Sequence, residues 1–344
     1  MTEHRRLDDF FPAIHPATAA EPVCCVLIDA EEDFDWRNPV RGAPHNVGCM
    51  RHLADLQRIL GAYGAAPTYL VTYPVLQDAA VVAGLRVRLD RGDCLAGIQL
   101  HTWVTPPFDE VPEARSSFGG NLGAELEERK LLALMRLFRE RLGHDPTVFR
   151  AGRYGLGSST SALLEKHGLL IDTSLAPRTS FTEEQGPAFP GEDYGTFWFG
   201  RARRLLEVPL CRSVVGWGGQ AAARAYQMLT AVEPSRYRLP GLLAWTRCAE
   251  RITLSPEGND AVAAGRLVRS LLARGQNVLA LSLHSSSLSI GQNPYVQSRS
   301  DLHHLYDRLS AILDLLAGSY GVRFVRPPQL LTLLPDAGGA PVHA

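Results

Sequence analysis

Eight short apolar runs recur along the 344-residue chain, and helix-like stretches separate many of them. The runs are VCCVLI (23–28), PTYLVTY (67–73), LAGIQL (95–100), TVFRA (147–151), LLID (169–172), RLLEVPL (204–210), NVLALSL (277–283) and VRFVRP (322–327). Strands that alternate with helices are typical of a parallel sheet. About eight such units favour a sheet that closes into a barrel.

Two longer segments have the apolar spacing of amphipathic helices. In LEERKLLALMRLFRERLG one stripe recurs at helical spacing, formed by Leu131, Leu134, Met135, Phe138 and Leu142. Gly143 follows as a helix C-cap, and DLHHLYDRLSAILDLLAG repeats the scheme before Gly318. Further helices are expected before Gly61 and before Gly168.

The composition is that of an ordinary globular protein, with 45% hydrophobic and 21% charged residues and a formal net charge of −1. A nucleic-acid binder usually carries a basic excess, so no nucleic-acid partner is indicated. No run approaches the roughly 18 apolar residues of a membrane span, and MTEHRRLDDFFPAIHPATAAEP lacks the apolar core of a signal peptide. We therefore expect a cytoplasmic protein. Its oligomeric state is not indicated.

The predicted elements form a single domain over residues 21–335, since neither a repeat nor a linker interrupts them. Residues 1–20 and 336–344 are expected to be flexible ends. The segment 212–250 has strong helix-forming and aromatic content, which predicts an insertion over the barrel mouth. Six cysteines form no C-x-x-C pair, so neither a zinc ribbon nor a redox motif is indicated.

Polar residues follow the predicted strands at their C-terminal ends. They are Asp29 and Glu31 after the first run, His101 after the third, Arg150 in the fourth, Asp172 in the fifth and His284 after the seventh. In a parallel barrel these ends meet on one face, where barrel enzymes place their chemistry. We therefore expect one pocket, in which cations or a metal offset the clustered acids.

Several neighbouring residues have a structural interpretation that competes with the functional one. Glu32, Asp33 and Asp35 are expected to cap a helix or to face solvent. Trp36 and Trp103 lie beside the polar motifs and are either core residues or a platform for a sugar ring. The functional interpretation depends on the co-occurrence of these motifs on one barrel face.

Six segments resemble the polysaccharide deacetylases of the NodB-homology type (carbohydrate esterase family 4) in their order and spacing. They are LIDAEEDFDW, APTYLVTYPV, GIQLHTWVTPPF, FRAGRYGLG, DTSLAP and LSLHSSSLSIGQNPY, within residues 23–330. The resemblance is greatest to a bacterial subgroup associated with exopolysaccharide biosynthesis. It implies an α/β fold, a distorted (β/α) barrel of seven or eight parallel strands. It also implies hydrolysis of acetyl groups on sugars with a divalent metal.

The resemblance assigns roles to individual residues. Asp29 matches the catalytic base, and His284 matches the general acid. Arg150 matches the arginine that orients the base, and Asp172 matches the carboxylate that tunes the acid. The residues expected to contact the sugar are Trp36, Trp103, Tyr154, Ser285 and Tyr295.

The metal ligands implied by the resemblance are Glu31, His101 and Gln99. The family supplies two histidines four residues apart, whereas here Gln99 and Trp103 occupy those positions. Zinc sites normally use three protein ligands and a water, and an amide oxygen suits harder ions better than zinc. Zinc or a similar divalent metal is therefore expected at an incomplete site. A weakened metal site, a metal-free hydrolase and an inactive binder all stay open.

The expected function is removal of an acetyl group from an acetylated sugar or glycan precursor. Asp29 would deprotonate a water, and His284 would protonate the leaving amine with the support of Asp172. The alternatives are a non-catalytic glycan binder and a hydrolase of small amides. The sequence does not indicate which sugar is used.

Overall fold

The computed structural model describes residues 7–33, 46–189, 194–201, 204–219, 222–223, 225–226, 243 and 246–335. Its strands are β1 (His15–Pro16), β2 (Val23–Ala30), β3 (Thr68–Val71), β4 (Leu95–Leu100), β5 (Val148–Ala151), β6 (Ile171–Asp172), β7 (Thr179–Ser180), β8 (Ala188–Phe189), β9 (Phe197–Phe199), β10 (Leu205–Glu207), β11 (Arg212–Val215), β12 (Glu250–Thr253), β13 (Val278–His284) and β14 (Arg323–Phe324). Its α-helices are α1 (Leu53–Gly61), α2 (Tyr73–Gln77), α3 (Ala79–Asp90), α4 (Ala124–Leu142), α5 (Thr160–Lys166), α6 (Ala261–Leu272), α7 (Arg299–Asp314) and α8 (Pro327–Leu333).

One mixed, strongly curled half-barrel sheet forms the core, in the order β1-β9-β10-β6-β5-β4-β3-β2-β13, with β14 also paired to β2. The ladders from β10 through β13 are parallel, as is the pairing of β14 with β2. The antiparallel strands β1 and β9 extend one edge. The prediction of a distorted (β/α) barrel is confirmed, and each of the eight predicted runs contains one parallel strand.

The parallel strands are mostly apolar, with polar residues toward their C-terminal ends, because helices and loops cover both faces of the sheet. All eight residues of β2 are buried. The predicted stripe of α4 is also buried, and the helix ends at Gly143 in the left-handed conformation, with φ of 85°. A residue without a Cβ adopts that conformation at little cost, which explains the C-cap.

The barrel wall has a seam between β10 and β13. No ladder joins these two described strands, and the segment that includes β11 and β12 fills the space between them. The amide of Ala280 in β13 donates to Cys211 Sγ at 3.1 Å, and the amide of Ser282 donates to the Leu254 carbonyl at 3.1 Å. Isolated hydrogen bonds therefore close this side of the barrel.

The expectation of a flexible N-terminal segment needs correction for its described part, residues 7–20. Phe10 and Phe11 are buried, and Phe11 lies edge-on to Phe197 and Phe199 at 5.2 and 5.0 Å between ring centroids. Strand β1 pairs with β9 and so covers an otherwise exposed sheet edge. Apolar burial and edge pairing together order this segment.

The other domain predictions fall largely outside the described residues. Residues 336–344 lie outside them, and so does most of the segment 212–250. The described ends of that segment, β11 and β12, pair with each other as an antiparallel ladder. No helix in the described part of the chain is long and apolar enough to cross a membrane.

Candidate active site

Strand ends on one edge of the sheet bring Asp29, Arg150 and His284 together. Asp29 and His284 are register partners in the neighbouring strands β2 and β13. The distance from Asp29 Oδ2 to His284 Nε2 is 3.5 Å, and Arg150 Nη1 donates to Asp29 Oδ1 at 2.5 Å. One carboxylate therefore faces a guanidinium with one oxygen and an imidazole with the other. An acid and a base at this separation can serve the same bound substrate.

Arg150 is fixed from two directions. It is only 1% exposed, and its Nε donates to Thr173 Oγ1 at 3.1 Å while Nη1 holds Asp29. Its guanidinium also lies over the Tyr154 ring, at 5.7 Å from the centroid. Because a guanidinium is planar, these contacts fix the orientation of the Asp29 carboxylate.

The substitution Arg150→Lys is expected to lower kcat by about 10- to 100-fold, the cost of losing a hydrogen bond to a charged group. Lysine keeps the charge but cannot bond Thr173 and Asp29 at once with one planar fork. Turnover of the proposed substrates, measured beside the exposed control Arg139→Lys, checks this. Full activity in Arg150→Lys would mean that Arg150 does not orient Asp29.

His284 is held by Glu257, which follows β12. His284 Nδ1 lies 2.8 Å from Glu257 Oε2, and the His284 amide donates to Glu257 Oε1 at 2.9 Å. Ser287 also donates to Glu257 Oε1, and Asn293 donates to Ser287 in turn. This chain of hydrogen bonds ties the imidazole to the loop after β13.

The charge on His284 follows from these neighbours. Burial alone would lower the pKa of His284, but Glu257 and then Glu31 and Asp29 raise it to about 10. Burial alone would likewise raise the pKa of Glu257, but His284 holds it below its ordinary value. His284 is therefore an imidazolium at neutral pH, with Nε2 directed at Asp29 and its side chain 23% exposed. It can donate a proton to a bound group.

The structure corrects the partner assigned to Asp172. Asp172 Oδ1 accepts from Ser174, and Asp172 lies in register with Glu207 on β10. Burial raises the pKa of Asp172 to about 7, and burial together with Asp172 raises the pKa of Glu207. Asp172 Oδ2 and Glu207 Oε2 have no other hydrogen-bond partner, so a proton shared by the two carboxyl groups satisfies both. Glu257, and not Asp172, contacts His284.

A second cluster lies beside the first, around His101. His101 Nδ1 lies 2.8 Å from Glu32 Oε1, and His101 Nε2 lies 3.7 Å from Glu31 Oε2. Trp103 stacks on the imidazole at 4.2 Å between centroids. A side chain at Gly152 would place its Cβ 2.6 Å from His101 Cδ2, so only glycine fits there. His101 is fixed in position by contacts on several sides.

The structure also corrects the expectation that Glu32 caps a helix or faces solvent. Glu32 is fully buried against His101. Burial alone would raise the pKa of Glu32, but His101 lowers it below its ordinary value. Glu31, in contrast, has its pKa raised well above the ordinary value, chiefly by burial. Two adjacent glutamates thus have opposite shifts because only Glu32 bonds directly to an imidazole.

Lys130 of α4 fixes the loop that follows β4. Its buried Nζ donates to the carbonyl oxygens of Thr102, Thr105 and Pro107, at 3.0, 2.7 and 2.7 Å. It also pairs with Glu110 at 2.8 Å. Three hydrogen bonds from one ammonium, together with the ion pair, hold the path of the loop that carries Trp103, which is why a lysine lies within the buried face of this helix.

The residues expected to contact a sugar have different surroundings. Ser285 is fully buried, and its Oγ accepts from the Glu31 amide at 3.1 Å, so it positions the backbone of Glu31. Its contact with a sugar stays a prediction. Trp103 and Tyr154 are partly buried, and Tyr295 is 42% exposed. Trp36 lies outside the described residues.

The fit of the implied metal can be judged from the donor atoms. Glu31 and His101 face each other, and Glu31 Oε1 and Gln99 Oε1 are buried without a hydrogen-bond partner. Glu32 on the far nitrogen of His101 is an arrangement common behind metal-bound histidines. Yet no group of three His, Cys, Asp or Glu side chains in the described residues could hold an ion. Two strong donors and an amide do not fit a tight zinc site.

Replacing Gln99 by His is expected to tighten Zn²⁺ binding by about 10- to 100-fold, the range that changes around a metal ligand produce. The wild type should bind the ion weakly because it lacks one imidazole. Calorimetric titration of the wild type, Gln99→His and the control Gln99→Leu with Zn²⁺ checks this. Tight stoichiometric zinc in the wild type would mean that other residues complete the coordination sphere.

Two partners in this site carry no clear signal in the sequence. Glu257 lies outside the segments that resemble the deacetylases, in RITLSPEG, where an apolar alternation before an acid is its only hint. Glu207 lies within the predicted run 204–210 but gives no indication that it faces Asp172. The contacts of both glutamates depend on which strands become neighbours in the sheet.

The chain matches no family model and no curated protein. Among solved structures it is similar to a protein from Mycobacterium smegmatis described as a polysaccharide deacetylase, with a TM-score of 0.52 and 14% identity over 92% of this chain and 95% of that one. It is also similar to Puue allantoinase, with a TM-score of 0.49 and 14% identity over 90% and 88% of the two chains.

A protein from Pseudomonas aeruginosa PAO1, described as a polysaccharide deacetylase, has a TM-score of 0.46 and 13% identity over 90% of this chain and 89% of its own. At such identities the similarity is one of fold. The half-barrel sheet and its covering helices agree with that similarity over nearly the whole length of both chains. The chain therefore has the fold of the polysaccharide deacetylases.

Proposed function

We propose that this chain is a hydrolase that removes an acetyl group from the amide nitrogen of an acylated sugar. The observation that carries the proposal is the opposed pair of Asp29 and His284, 3.5 Å apart, each held by a charged partner of its own. The fold shared with a protein described as a polysaccharide deacetylase supports a carbohydrate substrate.

The charges assign the two roles. Asp29 keeps one oxygen on Arg150, and its Oδ2 accepts a proton from a water in the pocket. The water oxygen bonds to the carbonyl carbon of the acetyl group. The imidazolium of His284 stabilises the negative charge that develops and donates its Nε2 proton to the leaving nitrogen. The C–N bond breaks, and acetate and a free amine result.

The cluster around His101, with Glu31 and Glu32, takes no part in these steps. A divalent metal, when bound, would polarise the carbonyl group, but the described residues do not fit a resident zinc ion. The steps assigned to Asp29 and His284 need none. Glu32 and Trp103 hold His101 in place, and its Nε2 faces Glu31.

Acetate release tests the proposal. N-acetylglucosamine oligomers, an O-acetylated sugar and acetamide would be incubated with the protein, with chelator or with added Zn²⁺. We expect acetate and free amine from the N-acetyl sugars, and little effect of the chelator. Release from acetamide alone would indicate a small-amide hydrolase. No release under any condition, with sugar binding retained, would indicate a non-catalytic glycan binder.

A further inference from the structure

An arginine on β11, Arg212, is held close to the candidate active site by two hydroxyl groups. It lies opposite Thr253 of β12 in the antiparallel ladder. Its Nε donates to Thr253 Oγ1 at 2.8 Å, and its Nη1 donates to Thr179 Oγ1 at 2.5 Å. Neutral acceptors on two different segments therefore fix the plane of the guanidinium without neutralising it.

Among the described residues, no carboxylate forms an ion pair with Arg212. Three other buried or partly buried cations each have one: Lys130 pairs with Glu110, Arg150 with Asp29 and Arg266 with Glu250. A like charge, Arg251, lies on the same face of the β11–β12 ladder and acts on Arg212. Arg212 is partly buried, and a partly buried cation without a charged partner favours an anion from outside the chain.

The neighbours of Arg212 connect it with the candidate active site. Tyr154 and Tyr295 are close enough to interact electrostatically with its guanidinium, and Tyr154 also interacts with Asp29 and Glu257. Thr253, which holds Arg212, begins the short segment that leads to Glu257, the partner of His284. Burial, with a contribution from Arg251, lowers the pKa of Arg212 to about 10, so it stays cationic at neutral pH.

We propose that Arg212 binds an anionic group, a carboxylate or a phosphate, carried by the substrate beside the acyl group that is hydrolysed. Its Nη2 takes part in neither hydroxyl contact and presents two N–H donors. A planar guanidinium binds both kinds of oxyanion with paired hydrogen bonds. The inference rests on the proposed function and narrows it to acidic or phosphorylated amino sugars.

Binding, measured apart from turnover, tests this inference. The probes are N-acetylglucosamine, its 1-phosphate, its 6-phosphate and N-acetylglucosaminuronic acid, titrated by calorimetry. We expect at least one anionic probe to bind more tightly than the neutral sugar, and its affinity to fall as salt rises. Arg212→Gln should lower the affinity for that probe by about 10- to 100-fold and leave the affinity for the neutral sugar unchanged. The phosphate and uronate probes distinguish the two sources of charge.

Two control variants separate charge from packing. Thr253→Val removes a hydrogen bond but keeps the cation, so it should retain most of the preference for the anion. Arg139→Gln removes an equal charge from the exposed surface and should change nothing. Thermal unfolding of each variant shows whether it is folded. The inference is overturned if no anionic probe binds more tightly than the neutral sugar. It is also overturned if folded Arg212→Gln lowers the affinity for neutral and anionic sugars equally.

A failure of the proposed hydrolase function would give a different result from a failure of the inference about Arg212. If the anion is preferred but acetate is released from no probe, the inference stands and the hydrolase proposal fails. If acetate is released from neutral and anionic sugars with equal KM, the hydrolase proposal stands and the role of Arg212 is rejected.

Discussion

Replacing Asp29 by Asn is expected to lower kcat for amide hydrolysis by about 10²–10⁴-fold, the usual contribution of a general base. Asparagine keeps the shape of the side chain, but its amide cannot accept the proton that a carboxylate takes from water. Acetate release at saturating sugar measures the effect. KM should change much less than kcat, because the lost step is proton transfer.

The stability of this variant has to be measured beside its activity. Asp29 and Arg150 are 3% and 1% exposed at their side chains, and removing one partner of such a pair typically costs about 3–5 kcal/mol. Activity should therefore be measured at a temperature well below the midpoint of thermal unfolding of the variant. Asp145→Asn, which removes an exposed carboxylate beside Arg139, is the matched control. If the folded Asp29→Asn variant kept full turnover, another residue would have to be the general base.

Replacing Glu257 by Gln is expected to move the alkaline limit of activity toward neutral pH. Glu257 is the largest of the influences that raise the pKa of His284 to about 10. Without that carboxylate the pKa should fall toward its ordinary value. The general acid must be protonated, and with an ordinary pKa of about 6.5 only about 3% of the imidazole is protonated at a fixed pH of about 8, so activity there should drop by about 30-fold. A pH–rate profile and an NMR titration of His284 measure the shift.

Asp172→Asn is the matched control for Glu257→Gln. The two substitutions are chemically alike, and both carboxylates are buried. Of these two carboxylates, Glu257 contacts His284, whereas Asp172 contacts Ser174 and lies in register with Glu207. Asp172→Asn should therefore leave the titration of His284 in place. A shift in Asp172→Asn without one in Glu257→Gln would restore the role that the sequence motif assigns to Asp172.

The parallel strands could be predicted because each lies in a short, mostly apolar run, a pattern that burial on both faces imposes. The positions of Asp29, Arg150 and His284 followed from the same pattern, since the ends of parallel strands share one edge. The antiparallel strands β1 and β9 were missed. Their pairing joins residues far apart in sequence, and β1 has only two residues.

The partners of the site residues could not be predicted for a related physical reason. Whether Glu32 faces solvent or His101 depends on how the loops after β2 and β4 approach each other. Whether Glu257 or Asp172 contacts His284 depends on the segment that fills the seam beside β13. A sequence motif marks a residue type at a strand end, but it does not determine which side chain from a neighbouring segment reaches it.

The seam between β10 and β13 has a consequence for how such a protein can change over evolutionary time. The segment through Leu254 bonds to β13 at single points and then supplies Glu257 to His284. An insertion or a deletion in this segment unpairs none of the parallel strands. The surroundings of the site can therefore diversify here while Asp29 and His284 are inherited unchanged, provided that each descendant again brings one carboxylate to the imidazole.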